Sequence, residues 1–318
     1  MSKYYLGIDL GGTDIKVGVI DESYQIIAKH VVPTLAKRSA REVIADMAAA
    51  GKEVVRMAGI SENDILHIGI GVPGAVNSKL NTIILAPNLG WRNIDFIPLF
   101  KEHWDLPVFL GNDADAAALA EVYAGAARDY ENIILLTLGT GVGGGFVFDK
   151  KIFTGCGFGT EPGHTIIVVD GEPCACGAKG CLESYASVTG LIREALKIMA
   201  EYPDSLLHKL CDHDLSKVNG RIIFDAAKQG DTAAKIIVAD YVKYLGAGIA
   251  SLCNALRPQA VILGGGVCEA GEPLFGPLDK IVESLIFKTG DGEMPPILKA
   301  ELGNDAGIIG AALFGIGS

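Results

Sequence analysis

The 318 residues are 49% hydrophobic, 20% charged and 7% aromatic, a composition that supports one large folded domain or two linked ones. A net charge of −11 disfavours a surface for nucleic acid, so any phosphate site must be local, built from backbone amides and a nearby cation. Of the seven cysteines, Cys156, Cys211, Cys253 and Cys268 are scattered, which argues against a disulfide framework and for a reducing cytoplasm.

The N-terminus, MSKYYLGIDL, has no apolar core or cleavage pattern, and no targeting peptide is expected. From Tyr4 to Val32 three β-favouring runs, YYLGIDL, IKVGVI and IIAKHVV, predict a hairpin-led sheet. Gly11, Gly12 and Thr13 turn the first hairpin and leave amide N–H groups open to a phosphate, while Asp9 can hold a water-linked Mg²⁺. A plain hairpin turn accounts for the same residues. Ser39 reads as the N-cap of a helix through about Met57, and Leu66 to Val72 as the next buried strand. After PVFLG, Asn112 and Asp113 precede an alanine-rich helix, with acidic residues at the positive end of its dipole. A carboxylate there can take a proton from a sugar hydroxyl; simple helix capping is the alternative.

At Ile133 the pattern restarts: IILLTLGTGVGGGFVF is again strand, glycine turn, strand, and TIIVV from Thr165 reads as a third strand, the mark of an internal duplication. The run is too short and too broken by glycine to span a bilayer, so no membrane partner is expected. The two turns, DLGGT and LGTGVGGG, can grip one polyphosphate from both sides. Between Glu161 and Glu183 the chain reads EPGHTIIVVDGEPCACGAKGCLE. His164, Cys174, Cys176 and Cys181 supply one imidazole and three thiolates, the ligand set of a closed tetrahedral Zn²⁺, against the alternative of unrelated core thiols. Glu161, His164 and Glu183, with Asn112 and Asp113, make a set of short polar groups suited to vicinal hydroxyls. Helices are expected near 185–200, 222–229 and 232–256, then the strand AVILGGG, whose Gly264, Gly265 and Gly266 let backbone approach a base or ribose, and a last helix from Ala306. Neither a Walker GxxxxGK[ST] nor a GxGxxG follows the first strand. Two α/β halves of this kind leave a cleft, where small ligands commonly sit.

DLGGT, NDADAAALAE, LGTGVGGG, EPGH, CACGAKGCLE and LGGGV, in this order from Tyr4 essentially to the C-terminus, make the chain resemble the ROK family of sugar kinases and sugar-responsive repressors, and within it the bacterial ATP-dependent glucokinases. The resemblance implies an α/β, two-lobed, duplicated fold of the actin, Hsp70 and hexokinase (ribonuclease H-like) type. Its smaller lobe would be 1–112 plus 305–318, and its larger lobe 113–304 with the zinc loop. It implies Asp113 as catalytic base, and Asn112, Glu161, His164 and Glu183, with Gly74 and Asn88, as sugar-holding residues. Gly12, Thr13, Thr140, Gly141, Gly265 and Gly266 would contact ATP, zinc would be structural, and magnesium would travel with the nucleotide. The implied activity is phosphorylation of a hexose, glucose first, with mannose, fructose, allose or an N-acetylhexosamine as alternatives, by a homodimer. A sugar-sensing regulator is disfavoured, because the first strand begins at Tyr4 without room for a helix-turn-helix and the charge is acidic. The chain departs from many relatives at Pro162, where they carry a bulky apolar residue, and at Asp14, where they carry a lysine that here stands at Lys16.

Overall fold

Every second side chain of a strand faces the same way, and the first strands use this fully. In the computed structural model, which describes residues 3–288 and 294–316, β1 (Tyr4–Leu10) and β2 (Asp14–Ile20) bury apolar residues on both faces. The edge strand β3 (Ile26–Pro33) alternates half-buried and exposed positions. Helix α1 (Ala40–Met57) starts where expected: the Ser39 hydroxyl accepts from the Glu42 amide, and the Glu42 carboxylate accepts from the Ser39 amide at 3.0 Å. Then come β4 (Ile65–Val72), the small antiparallel sheet β5 (Ala75–Asn77), β6 (Thr82–Ala86) and β7 (Trp91–Asp95), helix α2 (Phe96–Lys101), β8 (Val108–Asn112) and α3 (Asp113–Ala124). The first large sheet has the order β3-β2-β1-β4-β8, with β1, β4 and β8 parallel. Leu6, Ile8, Ile44, Met47, Ile68 and Phe100 lie in its core.

The second half contains β9 (Ile133–Leu138), β10 (Val142–Phe148), β11 (Lys151–Ile152), α4 (Glu183–Ala186), α5 (Val188–Glu201), α6 (Leu206–Leu210), α7 (Gly220–Lys228), α8 (Thr232–Leu256), β12 (Ala260–Gly264), α9 (Glu272–Leu285), β13 (Ile297–Lys299) and α10 (Ala306–Leu313). Its sheet order, β11-β10-β9-β12-β13, repeats that of the first sheet strand for strand, which is the expected duplication. Helix α8 is long and apolar enough to cross a membrane by composition alone. It packs against α5, α7 and α9 and buries Ile237, Tyr241, Leu245 and Ile249 inside the protein, so it is a core helix.

Two expected elements differ. TIIVV is no strand: apart from an Ile166–Cys181 bridge, its amides at Ile167 and Val168 both donate to Gly180 O, so the cysteine loop has taken the backbone that a sheet would need. The helix expected over 185–200 is broken at Ser187, whose extended backbone and hydroxyl, accepting from Gly190 N at 3.0 Å, cap α5 anew.

The described chain forms two compact units. One comprises the residues up to Leu135, Gly145–Thr160 and those from Ala300 on; the other comprises Leu136–Gly144 and Glu161–Lys299. Helix α3, which the sequence reading placed beyond a boundary at 112, clusters with the first unit. The reason is close packing on α10: a Cβ at Gly310 would lie 1.7 Å from Ala116 O. The return to this unit begins at Ala300, and it is anchored by the buried Glu121 carboxylate, which accepts from the amides of Ala126, Glu301 and Leu302 at 2.8, 3.1 and 2.9 Å.

Candidate active site

In the second unit, loop 161–183 is built on its own backbone bonds: Leu182 N donates to Thr165 O, Cys174 N to Ala178 O and Gly180 N to Glu172 O. These bonds converge the ligand atoms of His164, Cys174, Cys176 and Cys181 to within 4.8 Å of one another. His164 Nδ1 lies 3.6 Å from Cys174 Sγ, and Cys176 Sγ lies 3.7 Å from Cys181 Sγ. Zinc–sulfur bonds of about 2.3 Å at the tetrahedral angle separate two sulfurs by about 3.8 Å, so the donor set fits Zn²⁺ in kind and in edge length. Burial pushes the Cys181 thiol up to about 12.

The same loop carries the expected sugar residues of this unit. Pro162 opens the short turn Pro162–His164, and both Pro162 and Gly163 are buried. Glu183 starts α4; its Oε2 accepts from Val142 N at 3.0 Å, and its Oε1 lies 3.7 Å from Cys174 Sγ. Glu161 reaches solvent, yet the protein crowded around it raises its pKa; His164 opposes that rise and the Glu183 carboxylate adds to it. Glu161, His164 and Glu183 therefore share one electrostatic environment, with the cysteine cluster at its back.

The second glycine turn is braced from below. Val188 N donates to Gly139 O at 2.8 Å and Thr189 Oγ1 donates to Thr140 O at 2.7 Å, so the start of α5 holds both carbonyls. A Cβ at Gly141 would lie 2.3 Å from Glu183 Oε2, and one at Gly265, where φ is +99°, would lie 2.2 Å from Leu138 O. Packing alone explains glycine at those two positions. At Gly266 and at Gly139, a residue the sequence reading did not single out, a Cβ would meet nothing within 4 Å. Packing does not require glycine there, and bare backbone open on that side is what a nucleotide phosphate or base needs.

In the first unit, β8 ends on Asn112, whose side-chain Oδ1 accepts from Ala114 N and Asp115 N while Nδ2 donates to Gly74 O at 2.9 Å. One amide thus caps α3 and ties it to the turn after β4. Asp113, half-buried, is the first residue of α3, and its Oδ1 accepts from Ala114 N at 2.9 Å. The first glycine turn lies beside the exposed Asn88, since a Cβ at Gly12 would be 3.4 Å from Asn88 Cβ. Lys16 Nζ pairs with Asp9 Oδ2 at 3.1 Å, and Thr34 braces the turn, its N donating to Thr13 O and its Oγ1 to Gly11 O at 2.7 Å. Asp9, Gly11, Gly12, Thr13 and Asn88 are therefore one neighbourhood.

A model of the ROK family matches residues 5–316. The chain belongs to the ROK family. A glucokinase of Halalkalibacterium halodurans is 38% identical to this ROK chain, over 97% of it and 93% of the relative. The crystal structure of a ROK family glucokinase from Streptomyces griseus, in complex with glucose and AMPPNP, is 35% identical, covers 97% of this chain and 98% of its own, and superposes with a TM-score of 0.79. A xylose repressor of Caldicellulosiruptor bescii is 29% identical, over 89% of this chain and 70% of the repressor. The α/β architecture with two repeated sheets is the hexokinase-like fold of these relatives.

Proposed function

We propose that this ROK chain is an ATP-dependent hexose kinase that phosphorylates the 6-hydroxyl of glucose. The observation that carries the reading is similarity at 38% identity, over nearly the whole chain, to a protein named glucokinase. The arrangement within each unit supports the roles. Asp113 accepts the proton of the sugar hydroxyl as the oxygen attacks the γ-phosphorus; the bond from that phosphorus to the β–γ bridging oxygen breaks, and ADP leaves. Asn112 fixes Asp113 and Gly74 in one turn. Glu161, His164 and Glu183 take sugar hydroxyls, and Asn88 takes one beside the first turn.

Gly11, Gly12 and Thr13 are the nucleotide-contacting residues assigned to the first unit, and Thr140, Gly141, Gly265 and Gly266 those assigned to the second. Asp9 would hold Mg²⁺ through water, and the ion would supply positive charge to the transferred phosphoryl group. Lys16, paired with Asp9, keeps that carboxylate in place. His164, Cys174, Cys176 and Cys181 would hold Zn²⁺ in a structural role, which would fix the loop that bears the proposed sugar residues.

Release of ADP from ATP and Mg²⁺ with a panel of hexoses tests the reading, with glucose expected to be turned over at the highest kcat/KM. Glucose no better than buffer would refute it. The similarity to a xylose repressor favours a sugar sensor as second reading, and that reading requires sugar binding without ADP release.

A further inference from the structure

The backbone groups of the second glycine turn divide into those the protein engages and those it leaves open. Gly139 N donates to Gly141 O at 3.0 Å, Val188 N to Gly139 O at 2.8 Å and the Thr189 hydroxyl to Thr140 O at 2.7 Å, so every carbonyl of 139–141 is engaged. Val142 N is taken by Glu183 Oε2. Among the described residues the amides of Thr140 and Gly141 have no hydrogen-bond partner, and neither residue is buried. Their donors are open to an acceptor from outside the protein. The direction of those donors follows from the carbonyls, because in a trans peptide the C=O and the N–H point opposite ways. Both peptides are trans, and the Gly139 and Thr140 carbonyls are held against the start of α5, so the Thr140 and Gly141 N–H groups face away from that helix. Successive N–H groups on one side of a turn suit an anion. The first unit uses the same device at its own turn, where Thr34 gives its N–H to Thr13 O and its hydroxyl to Gly11 O.

We infer that Thr189 is a positioning residue for the nucleotide: its hydroxyl fixes the peptide between Thr140 and Gly141 and so aims the Gly141 N–H at a phosphate of ATP. This rests on the reading of Thr140 and Gly141 as nucleotide contacts. Thr189 is exposed, so water can take over the Thr140 carbonyl when the hydroxyl is removed, and the bond adds little to the stability of the whole chain. Its effect is local. Without the hydroxyl the peptide is free to turn, and the cost of setting its N–H towards the phosphate falls on nucleotide binding instead of being met in advance. Sugar binding by Glu161, His164 and Glu183 makes no use of this bond, so the consequence is confined to the nucleotide.

Thr189→Val removes the hydroxyl at nearly constant volume, and Thr189→Ser keeps it. The test is calorimetric titration of the full chain with Mg²⁺ and the non-hydrolysable analogue AMPPNP, and separately with glucose, beside steady-state kinetics and a thermal melt. In Thr189→Val the AMPPNP Kd and the ATP KM should rise about three- to ten-fold, the loss of one hydrogen bond, with the glucose Kd within about two-fold of wild type. The melting temperature should hardly move, and Thr189→Ser should bind AMPPNP as the wild type does. An unchanged AMPPNP Kd in Thr189→Val, an equal loss of affinity for glucose and AMPPNP, or weak AMPPNP binding by Thr189→Ser overturns the inference. A wild type that binds AMPPNP but does not phosphorylate glucose refutes the kinase reading, while the nucleotide affinities of the two variants still decide the role of Thr189. A wild type that binds no nucleotide overturns both.

Discussion

Glu183 and Val142 are joined by a hydrogen bond of 3.0 Å, side-chain Oε2 to backbone N–H, across 41 positions of sequence. The bond links the cysteine loop to the second glycine turn inside one unit, because the other carboxylate oxygen lies against Cys174 Sγ. The carboxylate proposed to hold sugar is thus oriented from two sides: by a cluster with the ligand geometry of zinc and by the second glycine turn.

Gly141→Ala tests that link. The added methyl group would lie 2.3 Å from Glu183 Oε2, so the carboxylate or the turn must move. Misplacing a sugar contact by about an ångström raises the glucose KM by about ten-fold or more, with a smaller effect on the melting temperature. Steady-state kinetics and a thermal melt separate the two; an unchanged KM would show that Glu183 does not depend on the turn.

Asp113→Asn keeps the size of the side chain and removes the proposed base. A drop in kcat of about 10²–10⁴ with the glucose Kd within a few-fold is expected, from initial rates and calorimetric titration.

Cys176→Ser removes one sulfur from a four-ligand set. Elemental analysis is expected to show zinc in the purified wild type and its loss in the variant, with melting at lower temperature, because metal binding and loop folding would be one equilibrium. Stoichiometric tightly held zinc in the variant would rule out Cys176 as a ligand.

His67 gives a pH signature away from the site. It is 6% exposed, lies between the rings of Tyr5 and Phe109, and its Nε2 is 2.7 Å from Ala312 O. Burial lowers its pKa below the usual 6.5. The unfolded chain therefore binds the proton more readily, so this contribution to stability is complete above about pH 6.5 and is lost as the pH falls below it. Urea unfolding between about pH 5 and 7 should show a steeper decline for the wild type than for His67→Gln.

Glu121→Ala removes the acceptor of three amides, those of Ala126, Glu301 and Leu302, for a loss of about 1–3 kcal/mol by denaturant unfolding. Glu121→Gln keeps one oxygen and should fall between the two.

Local signals made much of the frame legible. Ser39 and Glu42 mark the start of α1, Asn112 that of α3, and the two glycine turns announce the repeated hairpins. The cluster of His164, Cys174, Cys176 and Cys181 was readable because its donors are close in sequence and chemically distinctive. TIIVV misled because its β-branched residues favour a strand, while the actual partners of that backbone, at Gly180 and Leu182, are set by the loop closing on itself. Glycine at 141 looks like a phosphate contact in sequence, yet the structure shows that Glu183, far along the chain, already requires it. The clustering of α3 with the first unit has the same kind of cause: the contacts of Gly310 with Ala116 and of Glu121 with Glu301 join distant segments and leave no local mark.

Phosphorus NMR of the wild-type protein with ATP, Mg²⁺ and glucose addresses the central claim most directly, with Asp113→Asn run beside it. The account predicts a new phosphomonoester resonance, coupled to the C6 protons of glucose, that grows as ATP is consumed and is nearly absent with the variant. ATP turnover that yields only free phosphate, or an equal rate of sugar phosphate formation by Asp113→Asn, would contradict it.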